Sequence, residues 1–181
     1  MNHQRLVRVS KFLSRHLRHA PQDIGLTLEP GGWVGVDDLL AGCRRAGLAI
    51  TRAELDEVVR DNDKQRFSFD ESGQRIRANQ GHSAPVDLQL EPVTPPDVLY
   101  HGTGHTTAAE ILRNGVSRMK RHHVHLSATA QTAKTVGSRH GRPVVLVVDA
   151  AGMSRAGIAF YRSANGVWLV DEVPPEYLRL L

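Results

Sequence analysis

Residues 83 to 97 read SAPVDLQLEPVTPPD, with Pro85, Pro92, Pro95 and Pro96 spread along the stretch. A proline ring fixes φ and removes the amide donor, so such a segment continues neither a helix nor a central strand. It predicts a chain built in two parts: a lobe over 1–83, a Pro-rich linker over 84–97 and a second lobe over 98–181. With 181 residues there is material for two small cores, and no internal repeat spans the divide.

The two parts are patterned differently. In the first, Leu6, Val9, Phe12, Leu13 and Leu17 recur at helical spacing up to His19–Pro21. WVGV leads into Asp37, a candidate N-cap for a helix that stops at Gly47. Thr51 and Glu54 have the spacing of a capping box for a third helix, and RFSF and RIRA flank DESGQ as a hairpin. Three helices followed by a hairpin is the winged-helix plan. In the second part VLYHGT, HVHLS, PVVLVV, IAFYR and VWLVDEV read as strands, with Thr107 and Glu110 boxing one helix that ends at Gly115. The expected fold class is α+β.

No run of about 18 apolar residues occurs, so no membrane span is expected. The first residues, MNHQRLVRVSKFLSRHLRH, interrupt their apolar positions with charge, unlike a signal peptide. Cys43 is alone, which excludes an internal disulfide and a multi-cysteine zinc site. A cytoplasmic protein is the expectation. The net charge is only +4, but 19 of the 23 basic residues are arginine, whose planar fork grips phosphate in a bidentate manner. From Ile111 to Val148 there is no acid, while Arg113, Arg118, Lys120, Arg121, Lys134, Arg139 and Arg142 all fall inside. That distribution predicts an anion-facing surface.

RHHVHLS, residues 121 to 127, lies within this stretch. If it is a strand, His123 and His125 share one face, opposite His122, Val124 and Leu126. Two histidines at that spacing, with His101 as a third, could ligate a metal. A zinc site wants three or four ligands and supporting carboxylates, and the acid-free surroundings favour an anion instead. LRHAP closes the first helix with Arg18 and His19, cations that suit a helix C-terminus and also suit a phosphate. RANQGHS crowds Asn79, Gln80 and His82 around Gly81 at the edge of the linker, a polar cluster suggesting a phosphate or RNA cleft. YHGT sets His101 at a strand end before Gly102, a residue that lets backbone approach a ligand closely.

Taken together, SKFLSRHLRHAP (10–21), KQRFSF (64–69), RANQGHS (77–83), LYHGTGH (99–105), MKRHHVHLSA (119–128) and NGVWLVDEVPPEY (165–177) resemble the tRNA/RNA 2′-phosphotransferase family. The motifs occur in the family's order over nearly the whole chain. The resemblance implies a winged-helix RNA lobe joined to an ADP-ribosyltransferase-like lobe that binds NAD+. It implies removal of an internal 2′-phosphate from RNA in two steps. The 2′-phosphate displaces nicotinamide from NAD+; the 2″-hydroxyl of the ADP-ribose then attacks the phosphorus, releasing ADP-ribose 1″,2″-cyclic phosphate. The family's catalytic group falls on Arg18, His19, Arg66 and Arg121, and its NAD-binding residues on His101, Gly102, Thr103, His125 and Ser127. NAD+ and a 2′-phosphorylated RNA are the implied partners, with no metal and a monomeric enzyme expected.

The pair Arg–His also occurs as Arg15–His16, but the family's form is LRHxP, which selects Arg18 and His19. Where protein-modifying ADP-ribosyltransferases often carry a glutamate, this chain reads SANGVWLV with no acid before Asp171, consistent with phosphate as the acceptor. Three rival readings are separable by experiment. Transfer of ADP-ribose to terminal nucleic-acid phosphates would give no cyclic phosphate. A winged-helix regulator would bind nucleic acid without consuming NAD+, and a histidine-metal hydrolase would be sensitive to EDTA.

Overall fold

A computed structural model describes residues 1–181. The chain is α+β and divides into two compact units, Met1–Gln89 and Leu90–Leu181. The division falls inside the proline-rich stretch, whose ends are both tied down. In the first unit the Ser83 and Ala84 amides donate to the Arg18 carbonyl, and the Asp87 carbonyl accepts from Gly31. In the second the Val93 amide donates to the Phe160 carbonyl.

The first unit opens with α1 (His3–Arg18), capped by the Asn2 side chain and followed by a 3-10 turn over Pro21–Ile24. A short β1 (Val34–Gly35) leads into α2 (Val36–Arg45). The N-cap of α2 is Gly35, not Asp37; Asp37 and Asp38 lie in the first turn, where their charge favours the positive helix end. α3 (Arg52–Arg60) has the Thr51–Glu54 capping box, with Thr51 Oγ1 accepting from the Glu54 amide at 3.1 Å. β2 (Phe67–Phe69) and β3 (Arg75–Ala78) form the antiparallel hairpin, and β1 adds to the other edge of β3. One apolar cluster joins the helices to the sheet, including Val9, Leu13 and Leu17 from α1, Leu39, Leu55 and Val58 from α2 and α3, and Ile76 from β3. These residues are nearly or fully removed from water, the main driving force for the unit.

The second unit contains β4 (Leu99–Gly104), α4 (His105–Asn114), β5 (Val116–Ser117), β6 (Val124–Leu126) and α5 (Ala130–Gly137). These are followed by β7 (Pro143–Val148), α6 (Ala150–Arg155), β8 (Phe160–Arg162), β9 (Trp168–Val170), β10 (Glu172–Val173) and β11 (Leu178–Leu180). The strands make antiparallel sheets in the orders β11-β7-β4, β6-β9-β8 and β10-β5. The first two are stitched where Tyr100 and Ser127 exchange backbone hydrogen bonds, at 2.9 and 2.8 Å. α4 begins at His105, with Gly104 as N-cap, so the expected Thr107–Glu110 box does not form. The Thr107 hydroxyl instead donates to the Gly104 carbonyl and meets the Thr103 hydroxyl at 2.7 Å. α5, α6 and β11 carry no strong signal in the sequence. No helix is long and apolar enough to cross a membrane.

Candidate active site

In the first unit the site is organised by the segment that leaves β3. Asn79 continues the hairpin register by donating its amide to the Arg66 carbonyl at 2.8 Å. Its side chain pins the same turn, accepting from the Ser68 hydroxyl at 2.8 Å and donating to the Gln65 carbonyl at 2.6 Å. Gly81, at φ +87, lies against Arg18: a Cβ there would sit 3.4 Å from the guanidinium carbon and Nε. Ser83 then meets His19, its hydroxyl 2.8 Å from Nδ1. Residues 79–83 therefore touch Arg66, Arg18 and His19 in succession. α1 supplies the latter two at its C-terminal end, where a cation also opposes the helix dipole.

Arg66 is held from a second side. Asn62, buried, accepts from Arg66 Nη1 at 3.4 Å and from the Lys64 amide at 3.1 Å, and donates to the Ser10 hydroxyl of α1 at 3.0 Å. The neighbouring Arg15–His16 pair is different in kind. Arg15 is exposed and 3.8 Å from Asp23. His16 is buried, its Nδ1 donating to the Phe12 carbonyl at 2.8 Å and its ring tilted against Phe12. His16 is a core histidine, and the accessible imidazole is His19.

Two residues expected in a cleft are interior. His82 is 1 % exposed, beneath Gly32, whose absent Cβ would come within 3.1 Å of its Nε2. Gln80 is also buried. Both flank the bend at Gly81, whose start Asn79 locks. A polar cluster around a glycine looks the same in sequence whether its side chains face in or out.

The second unit gathers His101, His125, Ser127 and Arg121. The Tyr100–Ser127 bridge sets β4 beside β6, bringing His101 Nδ1 to 3.4 Å from the His125 carbonyl. A carbonyl only accepts, so Nδ1 carries the proton and Nε2 presents a lone pair. Burial holds the His101 pKa below its ordinary value, favouring that neutral form. Arg121, exposed in the turn before β6, reaches back so that Nη1 donates to His125 Nδ1 at 3.2 Å. Arginine cannot accept, so the proton of a neutral His125 sits on Nε2.

Gly102 and Thr103 serve β4 itself. A Cβ on Gly102 would lie 1.7 Å from the Ala133 carbonyl oxygen, because α5 packs directly on the strand. The neighbour that glycine admits is α5. Thr103 is buried with its hydroxyl on Thr107. His123 turns aside to Asp171, 3.8 Å away, and to the Tyr161 ring. No three histidine, cysteine or carboxylate groups converge as metal ligands.

The family profile described as RNA 2′-phosphotransferase, Tpt1 / KptA family, matches residues 4–172. The chain belongs to this RNA 2′-phosphotransferase family. It is 60% identical over 179 residues to a "Probable RNA 2′-phosphotransferase" of Nostoc punctiforme, covering 99% of each chain. It is 58% identical over 181 residues to one of the same name from Trichormus variabilis, covering both chains fully. A Streptomyces griseus relative of that name is 54% identical, with 99% of each chain covered. In this member of the RNA 2′-phosphotransferase family, sequence reasoning overlooked Ser83 as the partner of His19 and Asn62 as the anchor of Arg66. Ser83 closes the RANQGHS stretch; Asn62 has no local signal, since its partners Ser10 and Arg66 become neighbours only on folding.

Proposed function

We propose that this chain is an NAD+-dependent RNA 2′-phosphotransferase that removes an internal 2′-phosphate of the tRNA splice-junction type. In this reading the first unit is a winged-helix RNA lobe and the second an ADP-ribosyltransferase-like lobe. The observation that carries it is the run of residues 79–83 against Arg66, Arg18 and His19: two fixed cations and an accessible imidazole, suited to one phosphate.

The donor set of the second unit fits a dinucleotide. A neutral imidazole acceptor at His101 and a hydroxyl at Ser127 match ribose hydroxyls. NAD+, consumed as co-substrate, would supply an anomeric carbon activated by its cationic leaving group. Arg18 and Arg66 hold the 2′-phosphate while it acts as nucleophile, and again when it becomes the electrophile and negative charge builds on its oxygens. In the second unit Arg121, oriented by His125, is a further anion donor. His19, steadied by Ser83, takes the proton of the attacking 2″-hydroxyl and returns it to the departing RNA 2′-oxygen. The products are nicotinamide, ADP-ribose 1″,2″-cyclic phosphate and RNA with a free 2′-hydroxyl.

The test is incubation of the full chain with a 2′-phosphorylated oligoribonucleotide and NAD+ in excess EDTA. Cyclic phosphate and dephosphorylated RNA in equal amounts are expected. Turnover only after zinc is added would overturn the metal-free reading. A stable ADP-ribosylated terminal phosphate without cyclic product would establish the alternative transfer reaction.

A further inference from the structure

The second unit carries a group of basic side chains that this chemistry leaves unused. Lys134 lies on α5, Arg139 and His140 in the 3-10 turn after it, Arg142 just before β7, and His105 at the start of α4. Backbone contacts bring His105, His140 and Arg142 together. The His105 amide donates to the Arg142 carbonyl at 2.9 Å. The Gly104 backbone packs so closely on His140 that a Cβ would come within 2.4 Å of its carbonyl oxygen. All five side chains are exposed.

Several arginines of the first unit, by contrast, are held in ion pairs. Arg5 is paired with Glu54, Arg52 with Asp56, Arg60 with Asp61, and Arg75 with both Asp70 and Glu29. None of Lys134, Arg139 or Arg142 enters an ion pair. Three unpaired positive charges within residues 134–142 repel one another, and a polyanion laid across them relieves that repulsion. Two arginine forks favour phosphate oxygens over other anions. The amino end of α4 adds a partial positive charge beside them.

We infer that this patch binds the sugar–phosphate backbone of the RNA substrate. The inference rests on the proposed RNA 2′-phosphotransferase activity and extends it, since it assigns backbone contacts to the second unit. Each neutralised phosphate of a single strand contributes about 0.7 to the slope of log affinity against log salt. Loss of three contacts should therefore flatten the slope by about 2.

The experiment compares the full chain with a Lys134→Ala/Arg139→Ala/Arg142→Ala variant, using fluorescence anisotropy on a 12-nucleotide single-stranded RNA with no 2′-phosphate and no NAD+ present. Arg155→Ala/Arg179→Ala, which removes exposed charge elsewhere in the unit, is the control. The flatter slope and at least tenfold weaker binding in low salt are expected for the patch variant only. Arg139→Glu alone should weaken binding in the same direction. A slope unchanged in the patch variant, or equally reduced in the control, would overturn the inference. So would a raised KM for NAD+ with RNA binding intact, which would assign the patch to the dinucleotide diphosphate. Because binding is measured without turnover, a wild-type chain that binds RNA but yields no cyclic phosphate refutes the activity and not the patch.

Discussion

Nδ1 of His19 and the hydroxyl of Ser83 lie 2.8 Å apart, so the ring at the end of α1 is oriented by the segment leaving β3. Ser83→Ala keeps the imidazole and removes its tether. Turnover should fall about tenfold while the KM for RNA changes little, against the 10²–10⁴-fold loss expected from removing an acid–base group in His19→Ala. Steady-state kinetics of the two variants checks this. Equal losses would show that Ser83 does more than orient the ring.

Arginines that stabilise a phosphate should matter most when charge accumulates on it. In the proposed mechanism the phosphate of the first step is already a dianion, whereas the hydroxyl attack of the second would build new charge and move a proton. Alanine at Arg18, His19, Arg66 or Arg121 should slow the second step more than the first. The ADP-ribosylated RNA should then persist as a slower gel band. Loss of NAD+ consumption with no trapped species in all four variants would refute this division.

The neighbouring pair should behave otherwise. Arg15→Ala removes an exposed side chain with a loose contact to Asp23, and activity should be unchanged. His16→Ala opens a cavity against Phe12 and should cost about 1–3 kcal/mol of stability without trapping the intermediate. Denaturant titration beside the gel assay distinguishes the two outcomes.

His101 and His123 both have pKa values lowered by burial. Between those lowered values and 6.5, the unfolded chain holds protons that the native chain does not. Stability should be undiminished above pH 6.5 and should fall as pH drops below it. His101→Asn should flatten that dependence; a melting temperature independent of pH between 5 and 7 in the parent would contradict it.

Gly102→Ala tests how tightly β4 and α5 are packed. The added Cβ would overlap the Ala133 carbonyl, a backbone atom that cannot move without shifting the helix. A loss of about 3 kcal/mol or more is expected from the denaturation midpoint. A near-neutral effect would mean that α5 lies farther from the strand.

The sequence by itself determined what depends on near neighbours. The helical spacing of Val9, Leu13 and Leu17, the Thr51–Glu54 box, the RFSF–RIRA hairpin and the alternation around His125 are all decided within a few residues. The motifs holding Arg18, His19, Arg66 and Arg121 were visible for the same reason. Tertiary structure decided which polar residues face inward. His82 and Gln80 are interior because the chain bends at Gly81 under a turn some fifty residues earlier, and Gly102 is a glycine because α5 arrives from thirty residues later. α5 and β11 gain their stability from β4 and β7, not from their own weak patterns. Short-range hydrogen bonds and periodicity are written locally, whereas burial and close packing are set by partners distant in sequence, brought together only when the core closes.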